Sequence, residues 1–351
     1  MTAKAFELSP GYTVSRVIRG GWQLAGGHGA IDRSQAVTDL IATFDAGIWT
    51  YDCADIYTGV EELIGAARLR LANERGLDAA AKMKVHTKLV PDLERLANIS
   101  RDYIRGIVDQ SLRRLKTERL DLVQFHWWDY AMAGYVEAMG WLEELRREGK
   151  VRNLGTTNFD TPRLAEILAA GIPLVSQQLQ YSVLDQRPAN SLAALAEKND
   201  VSFLCYGSVA GGFLSDRWLG VAEPVTPLEN RSLVKYKLII DDFGGWDLFQ
   251  QLLQVLKTVG DRHGVDIATI ASAWVLERPQ VAAVIVGARN QAHALANAEI
   301  MNVALDADDR ARIAAAIARG TGLEGDVYTL ERDRHGRHGS IMHYNLNAGR
   351  V

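Results

Sequence analysis

The sequence predicts a (β/α)8 barrel, the architecture also called a TIM barrel, preceded by a short N-terminal hairpin. Eight short apolar runs alternate with amphipathic stretches at a spacing of roughly 25 to 35 residues, as helical crossovers between parallel strands require. The length of 351 residues suits one barrel with insertions. A doubly wound open sheet is the alternative, but no G-x-G-x-x-G motif follows the first strand, so the barrel is favoured.

The first half of the chain predicts the hairpin and four strands of the barrel. Turn-forming PG and GG pairs separate short β-rich runs, and the first barrel strand follows near residues 17–22. Asp32 is placed to cap the next helix, with Gln35 completing a capping box, and a second strand ends at Asp52. The next elements are a helix over 61–75, a strand over 84–90, a helix from Ser100 and a strand over 120–128.

The second half continues the alternation and adds long loops. Strands are predicted over 151–158, 172–181, 201–207 and 281–288, and helices from Thr161, around Leu192, and over 246–263 and 267–277. The segments 127–135, 208–245 and 320–351 fall outside this rhythm and are expected as loops at the C-terminal face, where barrel active sites are built. We expect residues 1–320 to form one barrel and residues 321–351 a tail that serves as a lid or stays solvated.

Composition and charge narrow the functional classes. Hydrophobic residues make up 48% and charged residues 23% of the chain, as in soluble globular proteins. The net charge of -4, without a basic stretch, predicts no nucleic-acid partner. The lack of a membrane-length apolar run or a signal-peptide core predicts a cytoplasmic protein that does not enter membranes. Cys53 and Cys205, inside apolar segments, are expected as reduced core thiols. The sequence leaves the oligomeric state open.

Polar side chains stand at the carboxyl ends of six predicted strands. Because these ends meet at one mouth of a barrel, we expect the side chains to converge there. Each has a structural explanation by itself, such as an ion pair for the lysine or a hydrogen-bonded core position for the histidine. Lysine and aspartate are seldom buried without a partner, so the whole set favours a functional site. The six residues are Asp52, Lys88, His126, Asn158, Gln178 and Tyr206.

Tyr57, five residues after Asp52, adds a group for proton transfer. Its unperturbed pKa is about 10, and a Lys88 ammonium beside the phenol is expected to lower that pKa while Asp52 keeps the lysine charged. His126 is then placed to donate a hydrogen bond to a carbonyl oxygen. The set predicts reduction of a carbonyl group to an alcohol, or the reverse. Taken alone, Asp52 and Tyr57 also fit a helix cap and a half-buried ring.

No metal is expected for this chemistry. His335 and His338 lie in the polar tail without further ligands at suitable spacing, which favours surface positions.

At these residues the chain resembles the aldo-keto reductase family, from the GGWQLAG segment to Asn297. The family's catalytic tetrad falls on Asp52 and Tyr57 in YDCADIYTG, Lys88 in VHTK and His126 in QFHWWD. The resemblance implies an oxidoreductase that uses NADPH, with NADH as the alternative, and binds it extended across the barrel mouth.

The resemblance also implies the residues around this cofactor. Thr157 and Asn158 in GTTNF and Gln178 in QQLQYS match the residues at the nicotinamide carboxamide, and Tyr206 matches the aromatic residue that stacks on the nicotinamide. The remaining matches are Gly21 and Trp22 beside Asp52, Gly207, Val209 and Gly211 along the pyrophosphate, Gly287, Ala288, Arg289 and His293 near the phosphate on the adenosine ribose, and Asn297 at the adenine.

The sequence departs from the family at the adenosine end and beside the nicotinamide. His293 stands where many relatives carry arginine, Ala296 replaces an acid, and Gly21 replaces threonine. Arg289 is expected to supply the phosphate contact. Trp22, Trp127 and Trp128 are expected at the mouth, where they favour apolar or ring-bearing substrates; packing of a tryptophan against the loop is the alternative.

Two further functions remain open at the level of sequence. One is a dehydrogenase that works mainly in the alcohol- or sugar-oxidising direction. The other is a slow-turnover regulatory subunit that binds the cofactor and resembles the potassium-channel β subunits.

Overall fold

The computed structural model describes residues 4–25, 31–225, 227–288 and 290–347. Its strands are β1 (Ala5–Ser9), β2 (Tyr12–Ser15), β3 (Val17–Gly20), β4 (Thr50–Asp52), β5 (Lys84–Leu89), β6 (Leu120–Phe125), β7 (Val151–Thr157), β8 (Leu174–Gln180), β9 (Ser202–Tyr206) and β10 (Val281–Gly287). Its helices are α1 (Arg33–Asp45), α2 (Val60–Arg75), α3 (Leu77–Lys82), α4 (Arg101–Leu115), α5 (Tyr135–Arg147), α6 (Thr161–Ala169), α7 (Ser191–Lys198), α8 (Arg231–Phe243), α9 (Trp246–His263), α10 (Ile267–Leu276), α11 (Gln291–Glu299), α12 (Ala307–Ile317) and α13 (Thr329–Arg332).

Strands β3 to β10 form a closed parallel barrel. They pair in chain order, and β10 pairs with both β9 and β3 to close the cylinder. Helices cover the outside, and the main apolar core lies between them and the strands. The predicted (β/α)8 barrel is confirmed, and all strand carboxyl ends lie at one mouth because every pair is parallel.

The predicted N-terminal hairpin is also confirmed and covers the amino end of the barrel. Strands β1 and β2 pair in antiparallel fashion, and Tyr12 is fully buried in a small apolar cluster with Leu122 and Leu204 of the barrel. The Tyr12 hydroxyl forms a 3.1 Å hydrogen bond with Nε2 of His86. The mouth at the carboxyl ends therefore stays the open end.

Local side-chain hydrogen bonds define several helix starts. Asp32 caps α1 by accepting from the amides of Ser34 and Gln35, as the sequence predicted. The predicted capping box is not formed, because the Gln35 amide group donates to Asp39 one turn ahead instead. Ser100 caps α4 through the amide of Tyr103.

Two of the segments outside the βα rhythm carry structure that was not predicted. Helix α8 lies within the 208–245 insertion, capped by Asn230 and with Leu233, Tyr236 and Phe243 buried at helical spacing. The tail, residues 321–347, contains α13 and packs over the loops that follow β5, β6 and β7. Among the helices of the described ranges, none has the length and apolar character to span a membrane.

Candidate active site

A cavity of about 630 Å³ opens at the carboxyl ends of the barrel strands. It is bounded by strand ends on one side and by the 208–245 insertion and the tail on the other. The six strand-end residues of the sequence analysis all line it, together with Tyr57. Those residues are Asp52, Lys88, His126, Asn158, Gln178 and Tyr206.

The centre of the site is a buried ion pair beside a phenol. Lys88 in β5 donates from Nζ to Oδ2 of Asp52 at 2.6 Å and to the carbonyl of Cys53 at 2.9 Å. The same ammonium lies 5.0 Å from the centroid of the Tyr57 ring, which stands on the loop after β4. The other carboxylate oxygen of Asp52 accepts from Gln124 at 3.1 Å and from Gln178 at 2.6 Å. Every oxygen of this buried carboxylate therefore has a partner.

The pKa shift of Lys88 agrees with the expected charged ammonium, whereas the pKa shift of Tyr57 has the opposite direction to the expected one. Burial alone would lower the pKa of Lys88, but Asp52 and Tyr57 beside it raise the pKa above its ordinary value. Burial raises the pKa of Tyr57 above its ordinary value, and the nearby ammonium offsets this only in part. The predicted net lowering of the Tyr57 pKa is therefore wrong for this state of the protein. The phenol keeps its proton at neutral pH.

His126 follows β6 directly and presents one ring nitrogen to the cavity. Its Nδ1 lies 3.1 Å from the carbonyl oxygen of Thr157, so Nδ1 carries the proton that is donated. Nε2 is buried without a hydrogen-bond partner among the described residues. Burial, with Arg332 and Lys88 nearby, lowers the pKa of His126 to about 3. A neutral ring in this tautomer presents an acceptor at Nε2, whereas the sequence analysis expected a donor.

Amide and aromatic side chains stand next to this group at the ends of β7, β8 and β9. The backbone N–H of Asn158 donates to the backbone carbonyl of Gln178 at 2.9 Å. The Asn158 side-chain oxygen accepts from the Tyr206 hydroxyl at 2.8 Å. Asn158 adopts a left-handed conformation with φ 62°, which turns its side chain out of the strand. After β9, Gly207, Val209 and Gly211 line the cavity.

The adenosine end predicted from the sequence lies at the edge of the same cavity. Gly287, His293, Ala296 and Asn297 line it, and the Asn297 side chain donates to the Gly287 carbonyl at 3.0 Å. Arg289, expected at the cofactor phosphate, lies outside the described residues.

Three predicted residues do not line the cavity. The Gly21 amide donates to the Asp52 carbonyl at 2.8 Å, and a Cβ atom there would stand 2.7 Å from that oxygen, so the position has no room for threonine. The Ala288 carbonyl accepts from Arg19. Trp127 is fully buried and donates from Nε1 to the carbonyls of Asp129 and Met132. The predicted placement of Trp127 at the mouth is therefore wrong.

Trp22 and Trp128 both line the cavity beside the ionisable group. The Trp22 ring meets the Tyr57 ring edge-on with 5.0 Å between centroids. The Trp128 ring meets the His126 ring in the same manner at 4.3 Å, and its Nε1 donates to the Pro91 carbonyl. The two indoles thus add apolar surface to the lining of the cavity.

Residues of the tail and of α8 also line the cavity, although the sequence did not predict them as site residues. Tyr328 lines the cavity with its ring 5.7 Å from that of His126, and Lys235 lies 5.1 Å from the Tyr206 ring centroid. Gln124, which donates to Asp52, was missed as well. Only Gln124 has a local sequence signal, since it is a polar residue inside the apolar run LDLVQF. Met342 and Leu346 complete the tail side of the cavity.

Among the described residues, no group of three or more His, Cys, Asp or Glu side chains could hold a metal ion.

Fold and site together define a protein of the parallel α/β-barrel class with a cavity at the carboxyl mouth of the barrel. The model of the Aldo/keto reductase family matches residues 16–318, and the chain belongs to that family.

Individual relatives are distant in sequence, and the share of each chain that the match covers varies among them. The NADH-specific methylglyoxal reductase of Escherichia coli strain K12 is 27% identical over 311 residues, covering 84% of this chain and 93% of that protein. Flagellar radial spoke protein 5 of Chlamydomonas reinhardtii is 26% identical over 260 residues, or 64% of this chain, and the match spans only 49% of that protein. Among solved structures, the glycerol dehydrogenase AKR11B4 from Gluconobacter oxydans aligns with a TM-score of 0.77 and 25% identity, covering 93% of this chain and 98% of that one.

Proposed function

We propose that this protein reduces aldehyde or ketone groups to alcohols with NAD(P)H, in a reversible reaction in which Tyr57 is the general acid and base. The observation that carries the proposal is the buried Lys88–Asp52 pair beside the Tyr57 ring, with His126 lining the same cavity. A buried ammonium next to a phenol is suited to stabilise the phenolate that proton donation leaves behind.

The donor set of the cavity fits a nicotinamide cofactor. The side-chain amide groups of Asn158 and Gln178 and the ring of Tyr206 adjoin the Lys88–Tyr57 group. Amides can pair with a carboxamide, and an aromatic ring can stack on a flat heterocycle. The glycine-rich segment after β9 and the residues around Asn297 extend the cavity for the rest of the molecule. When bound, the cofactor supplies or accepts the hydride.

The chain's own residues supply the proton. Because burial raises the pKa of Tyr57, the phenol is protonated at neutral pH and can donate to an oxygen that gains negative charge. Lys88, kept charged by Asp52, then stabilises the phenolate. The rings of Trp22 and Trp128 line the cavity beside this group, and apolar surroundings strengthen these charge interactions.

Replacing Tyr57 with Phe tests this proposal directly. The variant keeps the ring that packs against Trp22 but has no proton to donate, so we expect kcat to fall by about 10²–10⁴-fold. Cofactor affinity, measured by quenching of tryptophan fluorescence, should change little. Reduction of a panel of aldehydes at an unchanged rate would refute the role of Tyr57.

One observation favours the opposite direction as a second candidate. Nε2 of His126 is an acceptor in the neutral tautomer, and an acceptor complements the O–H of an alcohol rather than a carbonyl oxygen. The structural neighbour from Gluconobacter oxydans is a glycerol dehydrogenase. Rates measured in both directions across pH separate the two. Reduction should persist to beyond the ordinary phenol pKa of about 10, and oxidation that uses the Tyr57 phenolate as base should rise only above that pH.

We propose NADPH as the preferred cofactor, with NADH as the alternative. Arg217, Arg231 and His293 line the outer part of the cavity, and basic side chains suit an additional phosphate. One relative is an NADH-specific reductase, which keeps NADH as the alternative. The ratio of kcat/KM for the two cofactors, before and after replacing Arg289 with Ala, measures the preference.

We also propose that the tail acts as a lid and that the protein is cytoplasmic. Tyr328, Met342 and Leu346 of the tail line the cavity, which supports a covering role. Cys53 and Cys205 are free and buried, which is the usual condition of cysteines in a reducing compartment.

A further inference from the structure

Arg332, the last residue of α13, joins the tail to two loops of the barrel mouth. Its guanidinium donates to the carbonyls of Trp127 and Trp128, the latter at 2.9 Å, and to the carbonyl of Asn158 at 2.7 Å. It also donates to the Tyr130 hydroxyl at 2.8 Å. The residue lies beyond position 318, where the match to the family model ends.

These acceptors lie on both sides of the hydrogen bond that orients His126. The Trp127 carbonyl belongs to the residue that follows His126, and the Asn158 carbonyl belongs to the residue that follows Thr157. Thr157 is the residue whose carbonyl accepts from Nδ1 of His126. One side chain thus ties together the two backbone segments whose spacing determines where the imidazole stands.

The contacts use the shape of arginine and not only its charge. The planar guanidinium stacks on the Tyr130 ring, 3.9 Å from its centroid, while its donors reach acceptors on different segments. A lysine ammonium is a point charge and could not stack and bridge in this manner. The arrangement therefore depends on the guanidinium itself.

Among the described residues, Arg332 is also one of two charged groups that act on the His126 ring. The other is Lys88 from β5, whereas Trp128 and Tyr328 present neutral rings and Thr157 presents a backbone carbonyl. Both cations disfavour a proton on Nε2, so they support the neutral tautomer that the hydrogen bond to Thr157 selects.

We infer that Arg332 is a positioning residue that holds the backbone on both sides of the His126–Thr157 hydrogen bond and so fixes the imidazole in the cavity. The kinetic part of this inference rests on the proposed function, because it assigns His126 a place in the reaction. Its structural part concerns the ring alone.

A double-mutant cycle tests the kinetic part with an aldehyde that the wild-type protein reduces. We expect Arg332→Ala to lower kcat by roughly 10- to 100-fold through misplacement of the reacting groups. Arg332→Lys keeps the positive charge but lacks the planar guanidinium with its several donors, so it should lower kcat by a smaller factor than Arg332→Ala does. In a His126→Ala background the loss from Arg332→Ala should shrink to about threefold or less, because the two residues act through one contact. An equal loss in both backgrounds would overturn the inference.

Arg334 provides the matched control on the same segment. It is 48% exposed and donates to Asp129 at 2.7 Å, away from His126. Arg334→Ala should leave kcat unchanged, and a loss equal to that of Arg332→Ala would point to general loosening of the tail instead.

A second measurement does not need activity. In ¹⁵N-histidine-labelled protein, with the His126 signals assigned by their absence in His126→Ala, the wild-type ring should remain in the Nδ1–H tautomer down to a pH near 4 or below. In Arg332→Ala, or in Arg332→Lys if the alanine variant does not fold, the signals should show tautomer exchange. Spectra identical to wild type would refute the inference even if carbonyl reduction is established. If the protein reduces no carbonyl, the proposed function fails, and this spectrum still decides the role of Arg332.

Discussion

Two buried histidines, one toward each end of the barrel, have nearly the same physical properties and different surroundings. His86 and His126 each make one 3.1 Å hydrogen bond and each leave one ring nitrogen without a partner among the described residues. Burial lowers the pKa of both rings to about 3, with Lys88 contributing to each. His86 is sealed beneath the hairpin against Tyr12, whereas His126 lines the cavity. A perturbed pKa therefore does not identify a reactive residue by itself; access to a space that admits a substrate does.

The largest expected difference in kcat is that between variants of two lysines of β5, Lys88 and Lys84. Lys88→Met should lower kcat by about 10²–10⁴-fold, because the ammonium that stabilises the Tyr57 phenolate is removed. It should also lower the free energy of unfolding by about 3–5 kcal/mol, since Asp52 is left buried without its cation. Lys84→Met, four residues earlier on the same strand, should leave kcat unchanged. Steady-state kinetics and urea unfolding of both variants check this, and similar activities would contradict it.

The two histidines themselves should separate activity from stability. His126→Ala should lower kcat by about 10²-fold while the fold is retained, because the reacting groups lose the ring that lines the cavity beside them and are misplaced. His86→Ala should leave kcat within about threefold of wild type and lower the free energy of unfolding by about 2 kcal/mol, because a buried hydrogen bond and core volume are lost. Loss of turnover in a well-folded His86→Ala protein would break the comparison between the two ends.

Low pH should lower the free energy of unfolding through both histidines. Each unfolded ring takes up a proton below its ordinary pKa of about 6.5, whereas each folded ring stays neutral until about 3. The unfolded chain thus binds more protons in this window, and the free energy of unfolding should fall as pH drops from about 6.5 toward 3. Urea unfolding across this range checks the slope, and it should become shallower in His86→Gln. An unchanged slope in that variant would argue against the lowered pKa of His86.

The smallest expected effect is that of Tyr12→Phe at the closed end. The variant loses only the hydrogen bond to His86, so stability should fall by about 1 kcal/mol with no change in kcat. Thermal unfolding and the aldehyde assay measure both quantities. A change in kcat would show that a substitution at the closed end of the barrel alters the site at the mouth.

The sequence predicted the barrel and the centre of the cavity because both follow from local patterns. Apolar runs at helix-sized spacing determine parallel strands, and polar residues at strand ends must then meet at one mouth, as Lys88 and His126 do. Helix α8 has a local pattern as well, since Leu233, Tyr236 and Phe243 repeat at helical spacing after the capping Asn230. The prediction of a loop over residues 208–245 did not take this pattern into account.

The remaining features depend on contacts between residues far apart in the chain. Neighbours along an extended segment point to opposite sides, so only one of Trp127 and Trp128 can face the cavity. Packing in the finished fold decides that it is Trp128. The tautomer of His126 depends on the carbonyl of Thr157, 31 residues away, and the contact of Arg332 with Trp127 spans 205 residues. The direction of the Tyr57 pKa shift depends on how deeply the finished fold buries the phenol.

The barrel sheet closes at β10, so no backbone ladder of the cylinder requires the tail. Residues 321–347 are attached through side chains such as Arg332 and Asn347 that reach loop backbone, and through single backbone hydrogen bonds such as that from the Leu93 amide to the Tyr344 carbonyl. For engineering, tails from other barrels grafted after α12 would change which molecules enter the cavity, and such a graft needs an arginine at position 332 to keep its contacts with the loops beside His126.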